Sequence, residues 1–323
     1  MLKVVIIGYG EMFTNLIAAS LDAQCEIVGV VRNASIKYNP IIKKVLDIFN
    51  PSIEYNYIKS YNLPEITTRS VNSEDFRKQL IKLNPDIILV GSWGEKFEKK
   101  TYDIPKIATI NAHPSLLPKY RGPNPYYWVI RNREKTSGIT FHLMDENFDT
   151  GSILAQEEIE INSDETGESL KHKTVLKARG VACELLKTLQ EDVIIPLQQS
   201  ENKSSYYSHP EYSELDFGKS AEENYALIRA SHPWVKAYFY HNVTPLIPNP
   251  YKTSITENFT NQTTAGTIVD VNIKSKEISV LCSDGKVLKM SDINHYKKYD
   301  RPFTKFYIER EVKIGDNLQT KDY

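Results

Sequence analysis

The first ten residues, MLKVVIIGYG, decide how the N-terminal half of the chain folds. Val4 to Gly8 is an almost continuous apolar run, which is typical of a strand buried on both faces of a sheet. Glu11 to Leu21 then carries apolar residues at helical spacing. A buried strand followed directly by a helix predicts the first unit of a parallel sheet that is covered by helices.

The same alternation continues along the chain. Further strands are predicted at residues 25–31, 86–90, 107–111, 137–144 and 152–161. Helices are predicted at residues 73–83, where Ser73 is a candidate N-cap, and at residues 166–189. The predicted fold class is therefore α/β, a doubly wound and mostly parallel sheet of the Rossmann-like type. Ligands of such sheets bind at the carboxyl ends of the strands, so the chemistry is expected just after the first, third and fourth strands.

The C-terminal part of the chain has a different pattern. Residues 198–213 have no clear periodicity, and after a predicted helix at 219–230 the segments are short, alternating and joined by turns. This pattern predicts a smaller, mainly β domain with an antiparallel sheet or barrel. We therefore expect a first, catalytic domain over residues 1–195, a linker over 196–213, and a C-terminal helix with a small β domain over 214–323.

Composition excludes several classes of protein. The 323 residues include 40 basic and 41 acidic side chains, so no bulk charge draws the chain to nucleic acid or to an anionic membrane. The three cysteines lie far apart, which predicts neither a disulfide framework nor a metal site and favours a reducing cytoplasm. No apolar run is long enough to cross a membrane. A soluble cytoplasmic protein is expected, with a homodimer as the candidate oligomeric state.

The most informative stretch is residues 111–151, NAHPSLLPKYRGPNPYYWVIRNREKTSGITFHLMDENFDTG. It contains three elements in order, which are Asn111-Ala112-His113, the loop SLLPKYRG from Ser115 to Gly122, and Asp149-Thr150-Gly151. In these elements the chain resembles the folate-dependent formyltransferases, which include enzymes that formylate methionyl-tRNA and enzymes that formylate amino-sugar nucleotides. The resemblance extends over residues 1–195 and is weaker in the C-terminal domain.

The resemblance implies an enzyme that transfers a formyl group from N10-formyltetrahydrofolate to a primary amine, with Asn111, His113 and Asp149 as its catalytic residues. The residue types suit this chemistry. His113 can carry protons near neutral pH, and Asn111 can donate an amide N–H to a developing oxyanion. Asp149 can orient the imidazole or take the proton of the amine itself. Each element alone could equally serve to form a turn, but the three together favour a catalytic site.

The glycines of Gly8-Tyr9-Gly10 invite a dinucleotide-binding interpretation. The full fingerprint needs a small residue where Phe13 stands, and an acidic residue at the end of the second strand, where Arg32 and Asn33 stand. We therefore expect no NAD, and we expect Gly8, Tyr9 and Gly10 to border the binding site of the acceptor.

Other candidate site residues follow from the resemblance. Ser92, Trp93 and Gly94 align with the folate-binding wall of the family, although Trp93 could also belong to the core. Asp145 is a candidate to flank the folate or to cap a turn. Arg121 is a candidate to contact the acceptor substrate, with holding its own loop as the favoured alternative. His142 is expected to be a packed residue of a strand.

The acceptor is predicted from what the chain lacks. In the tRNA-formylating branch, a glycine-rich basic insertion follows the second strand, but residues 33–60 contain no glycine and only four basic residues. Residues 204–323 contain 15 basic and 15 acidic residues. The aromatic residues 126–128 also favour the sugar-formylating branch. A local basic cluster opposes this interpretation and consists of Lys297, Lys298, Arg301 and Lys305.

The preferred acceptor is therefore the amino group of a sugar nucleotide, and folate and this small amine are the expected partners. Formylation of methionyl-tRNA is the main alternative. A formyl-folate hydrolase and a folate-binding protein without activity are further alternatives. No metal is expected in any of these.

Overall fold

The computed structural model describes residues 1–32, 47, 49–191, 194–256, 263–295 and 301–318. Asn33, much of the segment after the second strand, and Lys297 and Lys298 of the basic cluster therefore lie outside the described residues. The chain divides into two compact units. The first contains Met1–Pro125, Thr136–Glu160 and Lys171–Ser208, and the second contains Tyr126–Lys135, Ile161–Leu170 and His209–Tyr323.

The first unit is built on a six-stranded sheet with the order β2-β1-β3-β4-β5-β6. Its strands are β1 (Lys3–Gly8), β2 (Glu26–Arg32), β3 (Ile87–Gly91), β4 (Ala108–His113), β5 (Thr136–Leu143) and β6 (Ile153–Glu160). The first four strands run parallel, and β5 and β6 are antiparallel to their neighbours. The mostly parallel α/β fold that the sequence predicts is thus confirmed.

The helices of the first unit are α1 (Gly10–Asp22), α2 (Ile53–Ser60), α3 (Glu74–Leu83), α4 (Lys99–Tyr102) and most of α6 (Gly167–Glu191). Helix α5 (Pro125–Arg131) lies almost entirely in the second unit. Ser73 caps α3 as predicted, because its side chain accepts a hydrogen bond from the backbone N–H of Phe76.

The apolar run of β1 fills two cores at once. Val4 and Ile6 belong to a cluster with α1 and part of α6, whereas Val5 and Ile7 belong to a cluster with α3 on the opposite face. Successive side chains of a strand point to opposite faces of the sheet. A strand with helices on both sides must therefore be apolar at every position, and this is why the run is continuous.

The carboxyl ends of three parallel strands stop at one level. Gly8 pairs with Gly91, and Gly91 pairs with Ala112, so the residues that follow them share one edge of the sheet. The approach is close, since a Cβ atom on Gly8 would lie 2.2 Å from the carbonyl oxygen of Gly91. This edge carries the functional site.

The second unit is rich in β-structure, as predicted for the C-terminal part. One sheet has the order β10-β13-β12-β11 and another has the order β14-β9-β8-β7. The strands are β7 (Ser213–Glu214), β8 (Ala237–His241), β9 (Thr244–Ile247), β10 (Thr253–Thr256), β11 (Ile268–Asn272), β12 (Glu277–Leu281), β13 (Val287–Met290) and β14 (Asn294–His295).

Two helices accompany these sheets, α7 (Ala221–Ser231) and α8 (Arg301–Glu311). Ser220 and Glu223 form a capping box at the start of α7, which accounts for the helix that the sequence predicts there. Within the described ranges, no helix is both long enough and apolar enough to cross a bilayer.

Two glycine substitutions should have opposite effects on stability. Gly8→Ala should destabilise the protein by about 1–3 kcal/mol, because its Cβ would collide with a backbone carbonyl. Gly180→Ala should be neutral or stabilise by up to about 1 kcal/mol, because Gly180 lies inside α6 with open space around it. Urea unfolding of both variants tests this, and a Gly8→Ala variant as stable as the parent would contradict the close strand approach.

Candidate active site

Two of the predicted catalytic residues come from the end of β4. Asn111 and His113 are two positions apart in the strand, so both side chains point to the same face. In the antiparallel pairing of β4 with β5, His142 lies opposite Asn111 and shares that face. The amide Nδ2 of Asn111 lies 3.1 Å from Nε2 of His142.

Asp149 joins these side chains from the loop between β5 and β6. Its Oδ1 atom lies 3.3 Å from Nδ1 of His113, 3.4 Å from Nδ2 of Asn111 and 3.5 Å from Nε2 of His142. Its Oδ2 atom accepts a hydrogen bond of 2.9 Å from the backbone N–H of Gly122. The structure therefore brings the three predicted catalytic residues together around one carboxylate and adds His142 to them.

Backbone carbonyls show which nitrogen of each imidazole carries a proton. Nε2 of His113 lies 2.8 Å from the carbonyl oxygen of Tyr120, and Nδ1 of His142 lies 2.8 Å from that of Leu143. A carbonyl can only accept a hydrogen bond, so each of these nitrogens carries a proton. When the rings are neutral, Nδ1 of His113 presents a lone pair toward Asp149, and Nε2 of His142 accepts from the Asn111 amide.

Burial controls the charges of the central pair. Burial lowers the pKa of His113 below its ordinary value and outweighs the Asp149 carboxylate, which raises it. Burial would raise the pKa of Asp149, but at the acidic pH where this carboxyl titrates both imidazoles carry a proton. The charge of His113, the hydrogen bond from His142 and the Gly122 N–H then together hold the pKa of Asp149 below its usual range. At neutral pH the site therefore holds a neutral imidazole beside a carboxylate.

The sequence prediction for His142 was incomplete. The residue is buried, as expected of a packed residue of a strand, but its ring also contacts Asn111 and Asp149. The signal that could have identified it is the pairing register of β4 and β5, which the sequence pattern did not provide.

The predicted folate-facing residues follow β3 at the same edge of the sheet. Ser92 has a positive φ of 59°, and the buried Nε1 atom of Trp93 has no hydrogen-bond partner among the described residues. Asp145 accepts hydrogen bonds from the hydroxyl of Thr150 and from the backbone N–H of Asn147. Asp145 thus stabilises the β5–β6 loop in this structure, as in the turn-capping alternative.

The predicted acceptor-facing loop, Gly8-Tyr9-Gly10, is bonded to a carboxylate. Oε1 of Glu54 accepts the backbone N–H of Gly10 at 2.6 Å, at the start of α1. In dinucleotide-binding folds, the pyrophosphate occupies this position at the N-terminus of the first helix. An internal carboxylate there supports the prediction that NAD does not bind. The ring of Tyr9 is 45% exposed and accessible to a ligand.

Arg121 is buried, and its side-chain hydrogen bonds go to residues outside the catalytic cluster. Its guanidinium donates hydrogen bonds to Oε1 of Gln199 and to the carboxylate of Glu201. These contacts favour the alternative in which Arg121 holds its loop over a direct contact with the acceptor. In the part of the chain that the structure describes, no group of three or more His, Cys, Asp or Glu side chains is arranged to hold a metal ion.

The fold and the site define an α/β protein with an Asn-His-Asp centre at the carboxyl edge of its sheet. Residues 2–184 match the family model described as formyl transferase, and residues 208–304 match the model described as formyl transferase, C-terminal domain. The chain belongs to the formyl transferase family, and the protein is therefore a formyltransferase.

Individual relatives agree with this assignment. The chain is 30% identical over 290 residues to a methionyl-tRNA formyltransferase of Clostridioides difficile, covering 87% of this chain and 89% of that protein. The fold is similar to that of an N-formyltransferase from Helicobacter canadensis, with a TM-score of 0.65, 20% identity, and coverage of 92% and 100%. It is also similar to HypX from Aquifex aeolicus, with a TM-score of 0.64 and 14% identity. The match to HypX covers 97% of this chain but about half of HypX, 48%.

Substitution of each central residue should abolish most of the activity. His113→Ala, Asn111→Ala and Asp149→Asn should each lower the turnover number for formyl transfer by at least about a hundredfold, the usual scale for losing an acid–base group or an oxyanion donor. Circular dichroism should show intact folding. His172→Ala is the matched control, because His172 is exposed and lies on the surface of α6. Near-normal turnover in His113→Ala would refute the site.

Proposed function

We propose that the protein transfers the formyl group of N10-formyltetrahydrofolate to the primary amine of a sugar nucleotide, with Asn111, His113 and Asp149 as catalytic residues. The observation that carries the proposal is the buried cluster in which the Asp149 carboxylate faces a neutral His113 and the Asn111 amide. A folate donor is supported by solved structures of similar fold, since the HypX structure contains tetrahydrofolic acid and the Helicobacter structure contains folinic acid.

The residues next to the cluster fit a flat, polar donor. The loop after β3 lies beside the loop between β5 and β6. Lys96 of the first loop has its Nζ atom 6.0 Å from the ring centre of Phe148 in the second. Ser92, Trp93 and Gly94, which follow β3, would hold the pterin at this edge. When bound there, formyl-folate supplies the one-carbon group and leaves as tetrahydrofolate.

Asn111 would stabilise the negative charge that develops on the formyl oxygen. One amide hydrogen of Asn111 is directed to Nε2 of His142 at 3.1 Å. The other faces Asp149 at 3.4 Å, which is long for a hydrogen bond, so this hydrogen is available to a bound oxygen. His142 would thereby fix the orientation of the amide, a role for which its buried ring is suited.

His113 and Asp149 would handle the proton of the amine. A neutral His113 presents a lone pair on Nδ1, and Oδ1 of Asp149 lies 3.3 Å away. Two acceptors at this separation can hold one proton between them. The pair can therefore take the proton that the attacking nitrogen loses, and it can return this proton to the departing folate nitrogen.

A small acceptor is supported by charge and by an aromatic surface. The C-terminal residues 204–323 are balanced in charge, which gives little attraction for a tRNA backbone. In the second unit, the rings of Tyr126 and Trp234 stack with their centres 5.8 Å apart, and Trp234 remains 36% exposed. Such a face can stack on a base or sugar ring. The Helicobacter structure contains dTDP-3-aminofucose, which is an acceptor of this class.

Methionyl-tRNA is the second candidate acceptor, because several relatives with about 30% identity are methionyl-tRNA formyltransferases. Of the basic cluster that could bind RNA, the exposed Lys305 lies on α8. Hydrolysis of formyl-folate is a third possibility, and release of formate without an added amine would identify it. A folate-binding protein without activity would bind the folate and show no turnover.

The pH dependence of kcat should reflect the lowered pKa of His113. If neutral His113 accepts the proton, activity is lost when His113 becomes protonated as the pH falls. Because burial lowers its pKa, the acid limb of kcat should lie below about pH 6.5, the ordinary imidazole value. The measurement is kcat at saturating acceptor, since KM also follows the protonation of the amine. An acid limb at or above the ordinary value would contradict a buried neutral His113.

The choice of acceptor should appear in the salt dependence. Formylation of an amino-sugar nucleotide should change little between low and physiological salt, because few phosphate contacts are involved. Transfer to methionyl-tRNA should be slow or absent under both conditions. A side-by-side assay of both acceptors tests this. Efficient, salt-sensitive formylation of initiator tRNA, lost when Lys297, Lys298, Arg301 and Lys305 are changed to Ala, would favour the tRNA alternative.

A further inference from the structure

Residues 199–207 form a strap along the catalytic loop that follows β4. The backbone N–H of Ser205 donates to the carbonyl of Pro118 at 3.2 Å, and the N–H of Arg121 donates to the carbonyl of Ser205 at 2.9 Å. The N–H of Tyr207 donates to the carbonyl of Arg121 at 3.0 Å. The strap therefore pairs with the same loop whose Tyr120 carbonyl holds His113.

The first residue of the strap also reaches the second catalytic loop. The side-chain amide Nε2 of Gln199 donates to the carbonyl oxygen of Asp149 at 2.9 Å and to that of Gly151 at 2.7 Å. Its Oε1 atom accepts two hydrogen bonds from Arg121, at 3.2 Å from Nε and 2.9 Å from Nη2. Gln199 is 8% exposed, so water competes little for these bonds.

Asp149 needs such an anchor because its backbone conformation is uncommon and because its carboxylate makes only long contacts with its neighbours. Its φ of 59° lies in the left-handed region, which is uncommon for a residue other than glycine. Its Oδ1 atom lies 3.3–3.5 Å from His113, Asn111 and His142, near the outer limit of hydrogen bonding. A shift of the loop by a few tenths of an ångström would break these contacts.

We propose that Gln199 is a positioning residue for catalysis, whose amide, held by Arg121, fixes the Asp149 loop against His113. This inference rests on the proposed function of the same site. Gln199 touches no reacting atom, and it acts through the backbone carbonyls of Asp149 and Gly151. It also explains why a buried arginine lies beside the catalytic loop without contacting the cluster.

Gln199→Met is the informative variant, because it keeps the length and neutrality of the side chain and removes its donors. Gln199→Glu keeps the volume and the bonds from Arg121 but cannot donate to the two carbonyls, so it serves if the Met variant folds poorly. Gln198→Met is the matched control, since the neighbouring Gln198 is exposed.

The kinetic assay uses N10-formyltetrahydrofolate and the amino-sugar nucleotide that the parent enzyme formylates. Both Gln199 variants should lower kcat by about tenfold to a hundredfold, the scale that small misplacements of catalytic groups produce. The KM for the folate should stay within about twofold of the parent, because the folate-facing residues are untouched. Gln198→Met should behave as the parent.

A second readout is a titration of His113 by NMR in folded protein. His113 faces Asp149 on the β5–β6 loop, His142 on β5, and Arg121 and the Tyr120 carbonyl on the loop after β4. Asp149 is the group that raises the pKa of His113, so loosening its loop in Gln199→Met should lower that pKa further. The acid limb of kcat should move to lower pH with it.

The outcomes separate the possibilities. A Gln199→Met protein that is folded and has the kcat and the His113 titration of the parent would overturn the positioning role. A loss of activity that only matches a loss of folded protein would overturn it as well. If the parent formylates no amino-sugar nucleotide, the proposed function fails, but a lowered His113 pKa in Gln199→Met would still support the anchoring of Asp149.

Discussion

The site depends on one electrostatic constraint, which is that a carboxylate must stay ionised while it is almost removed from water. An unpaired buried charge is strongly unfavourable. Asp149 is therefore held by the Gly122 N–H at one oxygen and faces the Asn111 amide at the other, beside the rings of His113 and His142. This arrangement leaves a neutral imidazole facing a carboxylate, which is a pair that can hold one additional proton. Both catalytic loops keep Nδ1 of His113, Nδ2 of Asn111 and Nε2 of His142 within about 3.5 Å of Oδ1 of Asp149.

The sheet supplies the precision that this constraint requires. The alternation of side chains along β4 puts Asn111 and His113 on one face, and the antiparallel register with β5 adds His142 opposite Asn111. Groups on adjacent, hydrogen-bonded strands move little relative to each other. Of the four residues, only Asp149 comes from a loop. Its backbone has a positive φ, which is uncommon for a residue other than glycine. That loop is also where side chains distant in sequence provide support, through Gln199 and Arg121.

A feature could be predicted from the sequence when it depends on residues that lie close together in the chain, and could not when it depends on residues far apart. The parallel sheet was predictable because buried strands such as β1 are apolar at every position, and the cap of α3 because it lies within three residues of Ser73. That Asn111, His113 and Asp149 lie close together was predictable through ordered motifs. His142 was not, because its role depends on a strand register. Gln199 was not, because its contact with Asp149 spans 50 residues and crosses a stretch that has no periodicity.

The geometry also explains how one catalytic centre can serve different acceptors. In the proposed reaction, the cluster would contact the formyl oxygen through Asn111, and the nitrogen that loses a proton through His113 and Asp149. Neither contact depends on what the nitrogen is attached to. Family members with the same centre can therefore differ in acceptor. Selection of the acceptor must then reside in surfaces outside the cluster. The C-terminal residues 204–323 are balanced in charge, which gives a polyanion little electrostatic attraction.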